Sequence, residues 1–182
     1  MTGSSARRWV LTFALASAAI VAGCGSGNGT PLPTFPPVSF GTGTTSAAAL
    51  ETRRLVTVAL STEGLLAETP PVVYRPAESP ALAQAPRIVV QAELPDDPQH
   101  GYIVIYELQD ANTASGAARE QAAYVTSGIG FVQFPPDSEF VIRTVGATVI
   151  FFSWSPGNSP DSRTATIATA LETIGTGIPL PR

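Results

Sequence analysis

The chain holds one histidine and one cysteine, and these are its most chemically pointed side chains. His100 lies in "PDDPQHG", shortly after Asp96 and Asp97. An imidazole beside two carboxylates is the material of a metal site or of acid–base catalysis. A metal centre needs three or four ligands with further groups behind them, and a Pro-flanked acidic turn is more often solvated. No serine stands in a Gly-x-Ser-x-Gly elbow. Neither a phosphate loop nor a dinucleotide glycine pattern occurs. A Ser-His-Asp triad would have only His100 as its base, with no serine marked out as its partner. These residues therefore assign no catalytic residue, no metal and no cofactor. A hydrolase-like enzyme built on Asp96, Asp97 and His100 is the last-ranked functional reading.

The cysteine is better placed for chemistry. Arg7 and Arg8 precede an apolar run, residues 9–22. A basic start followed by a short apolar run has the form of an export signal. The run falls short of the ~20 apolar residues a membrane-spanning helix needs. It is followed by Gly and Ser rather than by a basic stop. Val21-Ala22-Gly23-Cys24 resembles a bacterial lipobox. Small residues let the backbone enter a peptidase cleft, and the thiol is the nucleophile that takes a diacylglyceryl group. The resemblance implies cleavage between Gly23 and Cys24 and lipidation of Cys24, with acylation of the new amino terminus as a further step. Ala6-Arg7-Arg8-Trp9 partly resembles a twin-arginine export signal, but no Ser or Thr directly precedes the pair. General secretion is the simpler route.

The remaining composition narrows the partners. With one cysteine in the chain, the domain has no internal disulfide and must rely on a packed core. Every basic side chain is arginine, and the net charge is −4. Loss of Arg7 and Arg8 makes the mature chain two units more acidic. An acidic chain argues against nucleic acid and against electrostatic docking on anionic lipid. Membrane lipid is then reached through Cys24, which places the protein at the cell membrane, lipid-anchored, on the extracytoplasmic side. One acyl chain holds weakly, whereas two or three hold well.

Three segments follow: a signal peptide at 1–23, a lipidated Cys with a Gly/Ser/Pro tether at 24–45, and one α+β domain at 46–182. The tether mixes flexible Gly/Ser with stiff Pro. Within the domain, residues 46–63 have helical spacing, with Ala48, Leu55, Ala59 and Leu66 near one face and Gly64 as the stop. Residues 65–86 are Pro- and Ala-rich, with a short strand expected at 72–74. "RIVVQAEL" alternates apolar and polar residues, as a half-buried strand does. "YIVIYEL", residues 102–108, is apolar on both faces, as a central strand is. The two should pair as a hairpin. Asp110 then caps an Ala-rich helix that Gly128 ends. "FVIRTV" and "TVIFFSW" make a second hairpin around Gly146. Ser159 and Pro160 open a last helix whose stripe is Ile167, Ala170, Leu171 and Ile174. Strand-strand-helix, twice, predicts a mainly antiparallel sheet with helices on one face, a two-layer α+β sandwich.

The back half resembles a group of small bacterial lipoproteins of unknown function. The resemblance lies in residues 102–108 followed by the Ala-rich helix, Pro135-Pro136, Phe140, Arg143 and Gly146. It continues through residues 149–152 and Leu171-Glu172 with Gly175. It covers about half the chain. Where that group often has a histidine after the Pro-Pro step, this chain has Asp137. The resemblance implies an extracytoplasmic lipoprotein and no particular activity.

One further signal is an apolar surplus. Tyr102, Tyr106, Phe151, Phe152 and Trp154 lie on strands apolar on both faces. If helices cover one face alone, these side chains form a patch or cleft for binding. If the first helix and the Pro-rich segment cover the other, they are core. The second outcome is the preferred one. Arg143 is expected to pair with Glu93 or Glu107 across the sheet. The leading reading is thus a non-enzymatic, membrane-tethered binding or accessory module with a protein partner or a second copy of itself. A carrier of a small apolar ligand comes next.

Overall fold

Strands that are apolar on both sides need a cover on each side. The computed structural model, which describes residues 45–181, supplies two. Its strands are β1 (Ala67–Glu68), β2 (Arg87–Ala92), β3 (Tyr102–Glu107), β4 (Glu139–Val145), β5 (Thr148–Trp154) and β6 (Thr176–Gly177). They form one six-stranded sheet in the order β1-β2-β3-β5-β4-β6, with every pairing antiparallel. Both expected hairpins are present. Val89 faces Val104 in one, and Ile142 faces Phe151 in the other.

The helices are α1 (Ala47–Thr62), α2 (Pro80–Ala83), α3 (Ala111–Thr126), α4 (Gly128–Phe131) and α5 (Thr164–Glu172). Because side chains alternate along a strand, each central strand feeds two cores. Ile103, Ile105, Ile150 and Phe152 pack with residues of α1 and α5. Val104, Tyr106, Val149 and Phe151 pack with residues of α2 and α3. The α+β class and the antiparallel sheet are as expected, but helices on one face alone are not. α3 and α5 follow equivalent hairpins yet lie on opposite faces. The first helix and the Pro-rich segment do cover the sheet, α1 alongside α5 and α2 alongside α3.

Local chemistry explains most boundaries. Asp110 accepts from Thr113 N at 2.8 Å and starts α3. Its Ala114, Ala117, Ala118 and Ala122 are buried, so small side chains bring this helix close to the sheet. Ser46 accepts from Ala49 N and starts α1. The buried face of α1 differs from the expected one. It comprises Ala49, Thr52, Val56, Ala59 and Leu60, while Leu66 is exposed. Thr52 explains the rotation, since its hydroxyl meets that of Thr148 at 2.8 Å inside the core. α5 starts at Thr164 rather than after Ser159, and Asp161 O accepts the Thr164 N–H in the preceding turn. The strand expected at 72–74 is absent, and the short β1 forms just before it. Pro70 and Pro71 offer no N–H for a ladder.

Two ends of the sheet matter below. One carries the β4–β5 turn at Gly146. The other, the loop end, carries residues 93–101, 132–138 and 155–163. The expected signal peptide, the expected cleavage and lipidation site at Gly23 and Cys24, and the expected tether up to residue 44 lie outside the described residues.

Candidate functional site

The loop end gathers the titratable side chains that the sequence singled out. Gln91, buried at the end of β2, donates from Nε2 to Pro98 O and His100 O, both at 3.0 Å. Gly101 closes the loop with φ +83°, and a Cβ there would lie 2.6 Å from Ala92 O. Held in this way, Asp97 Oδ1 stands 2.5 Å from His100 Nδ1. Asp97 is buried while the His100 side chain is 48% exposed. A carboxylate on Nδ1 fixes the tautomer and leaves Nε2 as the basic nitrogen of the neutral ring. Asp97 Oδ2 is buried and has no hydrogen-bond partner among the described residues.

The third member of the expected set does not join them. Asp96 is exposed, and its backbone N–H donates to Asp161 Oδ2 at 3.3 Å. Asp161 is clamped by Arg163, whose Nε reaches Oδ1 at 2.9 Å and whose Nη2 reaches Oδ2 at 2.5 Å. That guanidinium, with backbone N–H groups of Arg163 and Asp96, holds the Asp161 carboxyl far below the usual carboxylate range. Among the described residues, no hydroxyl hydrogen-bonds the His100 ring. No three His, Cys, Asp or Glu side chains there converge as metal ligands. The arrangement is therefore an oriented imidazole without a described nucleophile or metal shell.

Asp137 has a mechanical task. It accepts from Ser155 Oγ and Gly157 N, both at 2.6 Å, and so ties the turn before β4 to the loop after β5. These hydrogen bonds lower its pKa.

The five aromatic candidates do not share a cleft. Tyr106 and Phe151 belong to the α2/α3 core, and Phe152 belongs to the α1/α5 core, where Trp154 packs on it. The Phe152 and Trp154 rings stack at 5.2 Å. Tyr102, partly exposed, stacks on Tyr74 at 4.4 Å. A separate groove of about 400 Å³ runs between α1 and α5, lined by Leu55, Val58, Ala59, Ala170 and Ile174 among others.

The sequence did not point to a buried carboxylate that joins two arginines and a tyrosine. Glu78, with a side chain 2% exposed, accepts from Tyr106 OH at 2.7 Å, from Arg75 Nε at 2.9 Å and from Arg87. Arg87 also lies 5.7 Å from the Tyr106 ring centroid. Burial and the Glu78 carboxylate push the Tyr106 phenol far above its ordinary range. Beside it, buried Gln121 of α3 accepts from Ser79 N at 2.6 Å and donates to Ala77 O at 3.1 Å. Glu78 fastens the Pro-rich segment to the sheet, and Gln121 fastens it to α3. The one sequence cue was Arg75 and Glu78 three residues apart. Arg143 is likewise structural, but not as expected. It pairs with neither Glu93 nor Glu107 and donates to Ile174 O at 2.7 Å and Gly175 O at 2.9 Å. A cation there satisfies carbonyls at the end of α5 and complements the helix dipole.

No family model matches the chain, and no curated protein or solved structure matches it either.

Proposed function

We propose that the chain is a membrane-anchored, extracytoplasmic lipoprotein whose α+β domain is a non-enzymatic binding or accessory module of the cell envelope. The anchor rests on the basic start, the short apolar run and Val21-Ala22-Gly23-Cys24. No helix among the described residues is long and apolar enough to cross a membrane, which is compatible with attachment through lipid.

One observation supports a binding role at the surface. The large aromatic side chains that would line a ligand cleft are spent on packing, with Tyr106, Phe151 and Phe152 at most 1% exposed. A full interior leaves the outer surface to do the binding. The oriented His100 supports no reaction class without a partner. Its acidic composition disfavours nucleic acid.

The test of the anchor is Cys24→Ser. The variant should leave the membrane fraction and lack the added lipid mass that the unaltered chain carries. Retention in the membrane with no change in mass would sink the proposal. The groove between α1 and α5 favours a second reading, a carrier of a small apolar ligand, at a place other than the five aromatics.

A further inference from the structure

The α3–α4 turn leaves large apolar side chains outside. Ile129, Phe131 and Val132 are 75%, 49% and 72% exposed, and residues 127–136 include no charged side chain. The turn is firmly built. Ser127 Oγ donates to Tyr124 O at 2.7 Å and accepts from Gly130 N at 3.1 Å. Phe131 N donates to Ser127 O at 2.7 Å. Gly130 is required, because a Cβ there would lie 1.9 Å from Tyr124 O. Phe134, just beyond, meets Phe140 edge-on at 4.9 Å and packs against the α2/α3 core. A turn rooted in the core thus holds the apolar side chains outward. Val72 and Val73, 55% and 93% exposed, form a second uncharged apolar segment next to Tyr74. Tyr74 stacks on Tyr102 at the start of β3, and Phe140 lies at the start of β4. Both segments therefore belong to the loop end of the sheet.

We propose that the Ile129–Phe131–Val132 tip inserts shallowly into the bilayer that holds Cys24, giving the domain a second contact with lipid. This rests on the lipoprotein reading above. The side chains favour lipid over a protein partner. Protein interfaces concentrate Tyr, Trp and Arg in pockets and surround them with hydrogen-bonding groups. This tip offers Ile, Phe and Val with Gln133 as its one polar side chain. A bilayer needs no matching pocket and takes up such side chains at the edge of its hydrocarbon. Insertion of this kind does not need basic residues, which suits a chain with a net charge of −4 that grows two units more acidic on losing Arg7 and Arg8.

The anchor supplies the rest. Attachment makes the encounter intramolecular, at an effective concentration on the order of millimolar, so a weak insertion suffices. The geometry allows it. α1 begins beside Ser46, and its Thr52 bonds Thr148 at the end of the sheet opposite the loops. The 16 residues of α1 are about 24 Å long at 1.5 Å per residue. A chain of 20 residues, the number from 25 to 44, can span at most about 65 Å at roughly 3.3 Å per residue. That is enough chain to let the loop end face the membrane.

The test uses the full lipidated chain in phosphatidylcholine vesicles. A lipidated Cys24 has no free thiol, so Ile129→Cys or Val132→Cys accepts a polarity-sensitive fluorophore at one place. Both should show blue-shifted emission and lose intensity when brominated phosphatidylcholine is used. Thr57→Cys, on the exposed side of α1, should show neither. With the probe at Phe131→Cys, adding Ile129→Asp and Val132→Asp should abolish the shift without changing the urea midpoint. No shift at 129 and 132 in a chain that floats with vesicles overturns the insertion and leaves the anchor standing. A chain that carries no lipid and does not float removes the anchor and the insertion together. A shift that appears without vesicles and grows with protein concentration means that a second copy covers the tip, which also overturns insertion in the bilayer.

Discussion

Glu78 and Asp97 are both buried carboxylates, with side chains 2% and 5% exposed, yet their surroundings differ. Glu78 has both oxygens occupied by Arg75, Arg87 and Tyr106. Asp97 spends one oxygen on His100 and leaves the other without a partner among the described residues. A fully bonded buried charge acts as a fastener, and removing it strands its partners. A half-bonded one holds less together and keeps an imidazole oriented at the surface. The first lies between the Pro-rich segment and the sheet, the second in a loop. The contrast separates what holds this fold from what its loop end presents to solvent.

The largest effect should come from Glu78→Ala. Stranding Arg87 and the Tyr106 hydroxyl should cost about 3 kcal/mol, the lower end for breaking a buried ion pair, since both arginines reach solvent. Urea unfolding checks this, and a loss below about 1 kcal/mol would erase the distinction from an exposed pair. Gln121→Ala leaves Ser79 N and Ala77 O unpaired and should cost about 1–3 kcal/mol, with α2 the first region to lose hydrogen-exchange protection.

The loop end should respond less. Gly101→Ala strains a left-handed backbone and crowds Ala92 O, for about 1–3 kcal/mol. Asp97→Asn keeps an oxygen available to His100 Nδ1 and should cost about 1 kcal/mol or less. If it equals Glu78→Ala in the same assay, the comparison of the two carboxylates fails.

Asp161 gives the pH-dependent case. Its folded pKa is depressed, chiefly by Arg163, so its contribution is present above the ordinary aspartate pKa of about 3.9. It fades as pH falls toward the depressed folded value. The stability gap between the unaltered chain and Asp161→Asn should therefore be seen near neutral pH and shrink in acid. A gap that widened in acid would reverse the sign.

Much of the secondary structure was legible because its signals are local. The two hairpins show period-two apolar runs, Asp110 marks α3, and the Ile167–Ala170–Leu171–Ile174 stripe marks α5. The layering was not legible, since the face to which a crossing helix goes is set by long-range packing. Thr52 misled the reading of α1, because a hydroxyl buried on another hydroxyl looks polar to any hydrophobic periodicity. Glu78 and Gln121 act across 28 and 42 residues, on Tyr106 and Ser79, and no spacing rule reaches that far. At the loop end, Asp97 and His100 of "PDDPQHG" do meet, while Asp96 stands apart. The aromatic residues are mostly core, the preferred outcome, and they divide between two cores because opposite strand parity means opposite faces.

On the function proposed above, this domain works through its surface while its interior is filled by its own side chains. Native mass spectrometry of the full chain, gently extracted from its own host's membranes, tests it most directly. The expected result is the mass of a polypeptide beginning at Cys24 with its attached lipid, and no small molecule held in the fold. A stoichiometric small molecule, retained in the folded chain and released on unfolding, would contradict it.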